Sequence, residues 1–66
     1  MFTDEELWEC DAGDTTSREI VLNDELTDEE KLNYLMDTLF YSENKLAIAK
    51  YLLTPEGKER VFGGYL

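Results

Sequence analysis

Apolar side chains recur with helical spacing in the middle of the chain. They lie at i, i+3, i+4, i+7 and i+8, and they are Leu32, Leu35, Met36, Leu39 and Phe40. This spacing places them in one stripe along an amphipathic helix. Thr27 and Glu30, just before the stripe, have the spacing of a capping box, in which each side chain satisfies a backbone amide at a helix start. The pattern predicts a helix over about 28–41.

Two more helices are predicted after this one. Ser42 can cap a helix over about 43–53, whose apolar residues surround most of its circumference. A helix that is apolar on most sides is usually buried, so we expect it to be the central element of the fold. Thr54 followed by Pro55 is typical of a helix start, because threonine caps the first amides and proline suits the first helical position. That start predicts a last helix over about 55–62.

The beginning of the chain contains one more helix start. Thr3 and Glu6 repeat the capping-box spacing, and they predict a short helix over about 4–10. Gly13 lies in the turn that follows, where a glycine readily adopts the left-handed backbone conformation that commonly ends a helix. We therefore expect Gly13 to supply that conformation.

The next segment leaves two interpretations open. Thr16 and Glu19 again have the spacing of a capping box, which favours a short helix over about 17–23. Ile20 and Val21 are β-branched, however, and such residues favour a brief strand. No other stretch of the chain is a convincing strand partner, so the helix is the preferred interpretation.

The size and composition of the chain fit a single small domain. Its 66 residues are 42% apolar and include eight aromatic side chains, which is enough to pack a core and argues against disorder. We therefore predict one all-α domain over 1–66, a compact bundle of three to five short helices. Cys10 is the single cysteine, which excludes an intramolecular disulfide, and its acidic neighbours disfavour a reactive thiolate.

The sequence shows no targeting or membrane-spanning segment. The chain opens without a basic and apolar leader, and no apolar run is long enough to cross a bilayer. We therefore expect a cytoplasmic protein, or one in the cytoplasm of an infected host cell. Its negative surface is expected to be repelled by anionic membranes and by nucleic acid itself.

Negative charge is concentrated in the first part of the chain. Residues 1–30 carry twelve carboxylates and one base, a net charge of −11, whereas residues 31–66 carry four acids and five bases, a net charge of +1. Six of the twelve fall in the first turns of two predicted helices, where the helix dipole stabilises each one by roughly 0.3–1 kcal/mol. The other six have no such role, and their field is one that a basic partner can sense. Self-repulsion of this charge also predicts that added salt stabilises the fold.

The sequence contains no signature of catalysis, metal binding or cofactor binding. Without histidine there is no ordinary base near neutral pH and no Ser-His or Cys-His pair, and zinc lacks its usual ligands. A calcium-binding EF-hand loop that began at Asp11 would need glycine and glutamate where Thr16 and Leu22 stand. We therefore expect a protein that is not an enzyme and that has no catalytic residue, metal or cofactor.

The acidic side chains have spacings comparable to those of phosphates in nucleic acid. Carboxylates three or four residues apart on a helix stand about 5–6 Å apart, and backbone phosphates repeat at similar intervals. We expect them to bind a basic nucleic-acid-binding protein, with Trp8 or Tyr34 as an aromatic anchor. A lone tryptophan in a small domain is more often part of the core, so that alternative stays open for Trp8. The candidate carboxylates are Glu5, Glu6, Glu9, Asp11, Asp14, Asp24, Glu25, Asp28 and Glu29.

In composition the chain resembles the small acidic inhibitors that phages and mobile elements encode against restriction, repair and CRISPR enzymes. The likeness is one of strategy and is carried by no motif. It implies a DNA mimic that blocks a host nucleic-acid-binding protein, a transcription enzyme included. An alternative function is a small adaptor or oligomerising subunit, such as a homodimer, that uses the apolar stripe of 28–41 and needs its acids only for solubility.

Overall fold

Five short α-helices follow one another along residues 2–65, the part of the chain that this computed structural model describes. They are α1 (Asp4–Glu9), α2 (Thr15–Val21), α3 (Asp28–Thr38), α4 (Lys45–Leu52) and α5 (Pro55–Phe62), with a final 3-10 turn over Gly63–Tyr65. No strand occurs within 2–65, so the predicted all-α fold is confirmed. No helix in this range is long and apolar enough to cross a membrane.

Two of the three predicted capping boxes begin helices, those of Thr3 with Glu6 and of Thr27 with Glu30. At the start of α1, the Thr3 hydroxyl accepts a hydrogen bond from the Glu6 amide at 3.2 Å, and Glu6 Oε1 accepts one from the Thr3 amide at 3.0 Å. Thr27 and Glu30 form the same reciprocal pair at the start of α3. These bonds satisfy amides that have no partner inside the helix, so the local sequence sets where α1 and α3 begin.

The segment left open between helix and strand is helical. α2 is displaced by two residues toward the N-terminus from its predicted range, with Asp14 as the N-cap and Thr16 inside the helix. Ser17 and Val21, one turn apart, are buried, and the Ser17 hydroxyl donates to the carbonyl of Asp11 at 3.4 Å. Burial of that face, rather than a capping box at Thr16, sets the register of α2.

α3 ends at Thr38, three residues before the predicted end of the 28–41 helix. Leu39 is extended, with φ −69° and ψ 145°, and the Phe40 amide donates to the carbonyl of Cys10 at 3.1 Å. The Cys10 thiol donates in turn to the Phe40 carbonyl at 3.1 Å. Because these bonds hold Phe40 outside the helix, the residue is 66% exposed, and the prediction that it extends the buried stripe was wrong.

Asp11, not Gly13, has the left-handed backbone in the turn after α1. Its φ is 55°, and no glycine within 2–65 has a positive φ. The Asp11 amide donates to the carbonyl of Trp8 at 3.0 Å, and the Ala12 amide donates to that of Leu7 at 3.0 Å. This is the Schellman pattern that satisfies the last carbonyls of a helix. The role predicted for Gly13 was wrong because α1 stops early enough to place the left-handed position at Asp11.

The predicted start of α4 at Ser42 is also corrected. Asn44 is the N-cap, and the Ser42 hydroxyl accepts a hydrogen bond from the Asn44 amide at 3.1 Å, which stabilises the turn before the helix. The fully buried residues of α4 are Ile48, Ala49 and Leu52. α4 is therefore a central element, as expected, but Leu46 is 47% exposed, so its apolar residues are not buried on every side.

The core lies where α4 packs against both α3 and α5, and α2 packs against α3. Its largest fully buried side chains are Phe62, Leu35, Ile48, Leu52 and Val21. α5 begins and ends at its predicted residues, with Thr54 as the cap and Pro55 as the first helical residue. Since α1 contributes one buried residue of its own, Leu7, most of its surface remains available to solvent.

Candidate partner-binding surface

Trp8 lies on the surface of the molecule, with 81% of its area exposed. The preceding residue, Leu7, faces the core at 5% exposure, and neighbouring positions on a helix point in different directions. The alternative in which the lone tryptophan completes the core is therefore wrong. Tryptophan is enriched among the residues that contribute most to protein interfaces, so its exposure favours a role in binding.

The Trp8 surface consists of Trp8, Asp11, Gly13 and Asp14, which line one open depression of about 320 Å³. The Asp14 amide donates to the Asp11 carbonyl at 3.1 Å, so one tight turn carries both carboxylates. Both side chains are exposed. The structure thus brings three of the predicted binding residues together, an aromatic ring and two carboxylates.

A second depression of about 90 Å³ adjoins the Trp8 surface. It is lined by Trp8 and Gly13 together with Asp4, Leu7, Arg60 and Val61. Arg60 Nη2 donates to Asp4 Oδ1 at 2.8 Å, which is the one ion pair within residues 2–65. The base that lines this depression with Trp8 is therefore already engaged, and Asp11 and Asp14 have no ion-pair partner in the described chain.

Arg18, the single arginine or lysine of the acidic segment (residues 1–30), pairs with none of the carboxylates that the structure describes there. The guanidinium of Arg18 lies 4.0 Å from the centroid of the Tyr65 ring and forms no ion pair within 2–65. Of the sixteen carboxylates, the described chain pairs only that of Asp4 with a base. Solvent and salt, rather than neighbouring bases, therefore screen this field.

Glu6, another of the predicted carboxylates, lines neither depression beside Trp8 and also has a structural role. Its carboxylate accepts hydrogen bonds from the amide and hydroxyl of Thr3 at 3.0 and 3.1 Å, and from the side-chain amide of Asn44 at 3.3 Å. The bonds from Thr3 lower the pKa of Glu6 below its ordinary value of 4.5, and the bond from the Thr3 backbone amide has the largest effect. This carboxylate is therefore already committed to the start of α1 and to the turn before α4.

The other predicted carboxylates are exposed but line neither depression beside Trp8. Glu5 and Glu9 lie on α1, Asp24 and Glu25 in the turn before α3, and Asp28 and Glu29 in the first turn of α3. The last two also stabilise the start of their helix through its dipole. The structure therefore gathers one part of the predicted set around the anchor, and not all of it.

Tyr34, the alternative anchor, lies in a different depression. This residue is 52% exposed. The α2–α3 groove, an open depression of about 320 Å³, is lined by Thr16, Glu19, Ile20, Asn23, Leu26 and Tyr34. Sequence reasoning missed Glu19 and Asn23 as binding candidates, because their place beside Tyr34 depends on how α2 packs against α3. The two predicted anchors thus lie apart, because Trp8 lines the two adjoining depressions and Tyr34 lines the α2–α3 groove.

Two exposed aromatic residues were also missed. Phe40 is 66% exposed and Tyr41 is 85% exposed, and both lie in the link between α3 and α4. No helical pattern predicts their exposure, because it depends on the bonds between Phe40 and Cys10 that end α3 early. They form an apolar feature outside both depressions and the groove.

The single cysteine, Cys10, takes part in the packing of the fold. Cys10 is fully buried, and burial raises the pKa of its thiol above the ordinary value of 9.0. The thiol donates to the Phe40 carbonyl, which requires its protonated form. Among residues 2–65, no group of three or more acidic or cysteine side chains is placed to hold a metal ion.

A partner of this molecule would meet an exposed indole, two adjacent carboxylates and the α2–α3 groove. No protein-family model, curated protein or solved structure matches the chain. The chemistry of these residues is therefore the basis on which a function is inferred.

Proposed function

We propose that this protein is a non-catalytic inhibitor that occupies the nucleic-acid-binding site of a basic protein by imitating nucleic acid. The observation that carries the proposal is the exposure of Trp8, at 81%, beside Asp11 and Asp14. A planar ring next to anionic oxygens is the pairing that a nucleotide presents as base and phosphate. Clefts that bind nucleic acid stack nucleobases on aromatic side chains and hold phosphates with arginine and lysine. Such a cleft would accept the indole ring and the carboxylates.

The charge distribution supports a protein partner rather than nucleic acid or a membrane. A net charge of −11 within residues 1–30 repels phosphates and anionic lipids, whereas it attracts a positively charged cleft. Such steering raises the rate of association and makes that rate sensitive to salt. The target class is a restriction, repair, CRISPR or transcription enzyme, and the setting is the cytoplasm of a host cell that a phage or mobile element has entered.

The experiment that tests the proposal starts from the immobilised protein. Nuclease-treated bacterial lysate is passed over it at about 0.1 M salt, and bound proteins are eluted first with duplex DNA and then with high salt. We expect a nucleic-acid-binding protein in the DNA eluate. In a competition experiment, this protein should then displace labelled DNA from the purified target. The displacement should weaken as the salt concentration increases.

Two variants address the Trp8 surface directly. Trp8→Ala removes an exposed ring, so it leaves no cavity in the core. The double variant Asp11→Asn with Asp14→Asn removes two charges, while asparagine tolerates the left-handed backbone and caps helices well. Both variants should keep their helical content and should no longer bind the target.

The matched control is the double variant Glu43→Gln with Glu56→Gln. It removes the same charge from exposed residues that line neither depression beside Trp8, and it should still bind. Equal capture of the target by Trp8→Ala, by the Asp11/Asp14 variant and by the control would exclude mimicry by the Trp8 surface. A partner that neither DNA nor salt displaces would exclude it as well.

The second candidate function is the adaptor, and the exposure of Phe40 and Tyr41 favours it. Adjacent exposed aromatic residues are common where protein partners bind. In that case Tyr41→Ser should abolish capture, the acidic variants should retain it, and duplex DNA should elute nothing.

A further inference from the structure

We propose that the α2–α3 groove binds an arginine side chain of the partner protein, with Tyr34 stacking on the guanidinium and Glu19 pairing with it. The proposal deepens the proposed function and rests on it only in taking the partner to be basic. It adds a second contact point, separate from the Trp8 surface, and names the side chain that fits there.

The shape of the groove suits a long side chain with an apolar stem. Its volume is about 320 Å³, and Ile20 and Leu26 contribute half-buried apolar surface to its lining. Long basic side chains pack their methylene groups along such surface while the charged end stays near water. The groove is open rather than enclosed, so that end can remain partly hydrated.

The polar lining of the groove favours a guanidinium. Glu19 is exposed and forms no ion pair within residues 2–65. Tyr34, which is 52% exposed, lines the groove with its aromatic side chain. A guanidinium is planar, so it can stack on an aromatic ring and also donate two parallel hydrogen bonds to a carboxylate. The ammonium of lysine is a compact and strongly hydrated charge. It stacks less well on a ring and cannot donate such a parallel pair of hydrogen bonds.

The groove has no cation of its own. None of its six lining residues is basic. Arg18 is adjacent to Glu19 in sequence, but its guanidinium lies over the Tyr65 ring instead. Asp24 and Glu25, in the turn that carries two of the lining residues, add exposed negative charge beside it. The charge of the groove therefore complements an arginine supplied from outside.

The test compares an oligoarginine peptide with an oligolysine peptide of equal length by calorimetric titration of the intact protein. Acidic proteins bind both through charge, so the informative quantity is the ratio of the two dissociation constants. We expect the arginine peptide to bind about fivefold more tightly, the scale of one cation–π contact with its paired carboxylate. Amide resonances of the groove residues should shift with the arginine peptide.

Three variants and one control separate the groove from general charge. Glu19→Gln and Tyr34→Leu should bring the ratio close to one, whereas Tyr34→Phe should keep it because the ring remains. Glu43→Gln removes one exposed charge outside the groove and should keep the ratio while weakening both peptides slightly. Circular dichroism confirms that each variant is folded.

The outcomes distinguish this proposal from the proposed function. A wild-type ratio near one, or a preference that survives both Glu19→Gln and Tyr34→Leu, overturns the arginine site even if DNA still elutes a captured target. A preference that disappears in both variants establishes the site even if no nucleic-acid-binding target is found.

Discussion

Arg60 and Asp4 are 56 residues apart in the chain, and Nη2 of Arg60 donates a 2.8 Å hydrogen bond to Oδ1 of Asp4. Nη1 of the same guanidinium donates to the Phe2 carbonyl at 2.6 Å, and the guanidinium carbon lies 5.9 Å from the centroid of the Tyr51 ring. Phe2 and Tyr51 also form an edge-to-face pair with centroids 5.6 Å apart. One side chain of α5 therefore holds the start of α1 against α4 and α5.

Replacing Arg60 by alanine should lower the thermal midpoint of unfolding, because the segment before α1 loses its attachment to the rest of the fold. Lys58→Ala is the control, since it removes the same charge from the same helix and Lys58 makes no side-chain hydrogen bond or ion pair within 2–65. Arg60→Lys should fall between wild type and Arg60→Ala, because lysine keeps the charge without the fork of donors. Equal losses for Arg60→Ala and Lys58→Ala would show that charge alone matters here.

Gly57 allows α5 to approach the backbone of α4 closely. A Cβ atom at this position would lie 2.7 Å from the carbonyl carbon of Tyr51 and inside van der Waals contact with its oxygen. Gly57→Ala should therefore destabilise the fold by about 3 kcal/mol or more, although alanine normally favours helices. Gly64→Ala is the control, because nothing lies within 4 Å of its Cβ position. Denaturant unfolding measures both, and a stable Gly57→Ala protein would mean that the two helices can separate without loss.

Asp11 is held in a backbone conformation that disfavours it, with φ 55° at the negative end of α1. Asp11→Gly should raise stability by about 1 kcal/mol, because glycine removes the strain and the charge leaves the helix end. Gly13→Ala should change little, since Gly13 has no positive φ and its Cβ would meet Val61 at 3.9 Å. If Asp11→Gly also weakens target capture, the strained aspartate serves binding at the expense of stability. Loss of stability in Asp11→Gly would contradict this account of the turn.

Added salt should raise the midpoint of thermal unfolding. The chain has a net charge of −10 and one ion pair within the described residues. Salt therefore weakens the repulsion between carboxylates more than it weakens attraction between opposite charges. The rise is measured between about 0.05 and 0.5 M NaCl, over which the Debye length shortens severalfold. The double variant Asp24→Asn with Glu25→Gln should show a smaller rise. A midpoint that falls with salt would mean that attractive pairs dominate.

Protonation of Glu6 should weaken the start of α1 in acid. The hydrogen bonds from Thr3 lower the pKa of this carboxyl below 4.5, so folding favours its charged form. Its contribution to stability is therefore complete above pH 4.5 and is lost as the pH falls through the lowered pKa. Glu6→Gln keeps a capping side chain that does not titrate. The difference in midpoint between wild type and Glu6→Gln should be constant near neutral pH and should narrow toward about pH 3; a constant difference throughout would contradict the prediction.

The candidate site was only partly predictable from the sequence. Charge segregation and the choice of Trp8 as an anchor followed from residue types, and six of the acids were correctly assigned to the first turns of two helices. The capping role of Glu6 was predictable from its spacing to Thr3, whereas its bond to Asn44 was not, because that bond joins residues 38 positions apart. The place of Glu19 beside Tyr34 depends in the same way on the packing of α2 against α3.

The sequence by itself determined the all-α class, the starts of α1, α3 and α5, and the concentration of negative charge in residues 1–30. These features are local, since capping bonds join residues three positions apart and charge requires no fold. The tertiary structure alone decided where α3 ends and where the left-handed residue lies. It also decided that Trp8 faces water beside Asp11 and Asp14. These features depend on contacts between distant residues, such as Cys10 with Phe40, and on which face of each helix the shared core buries.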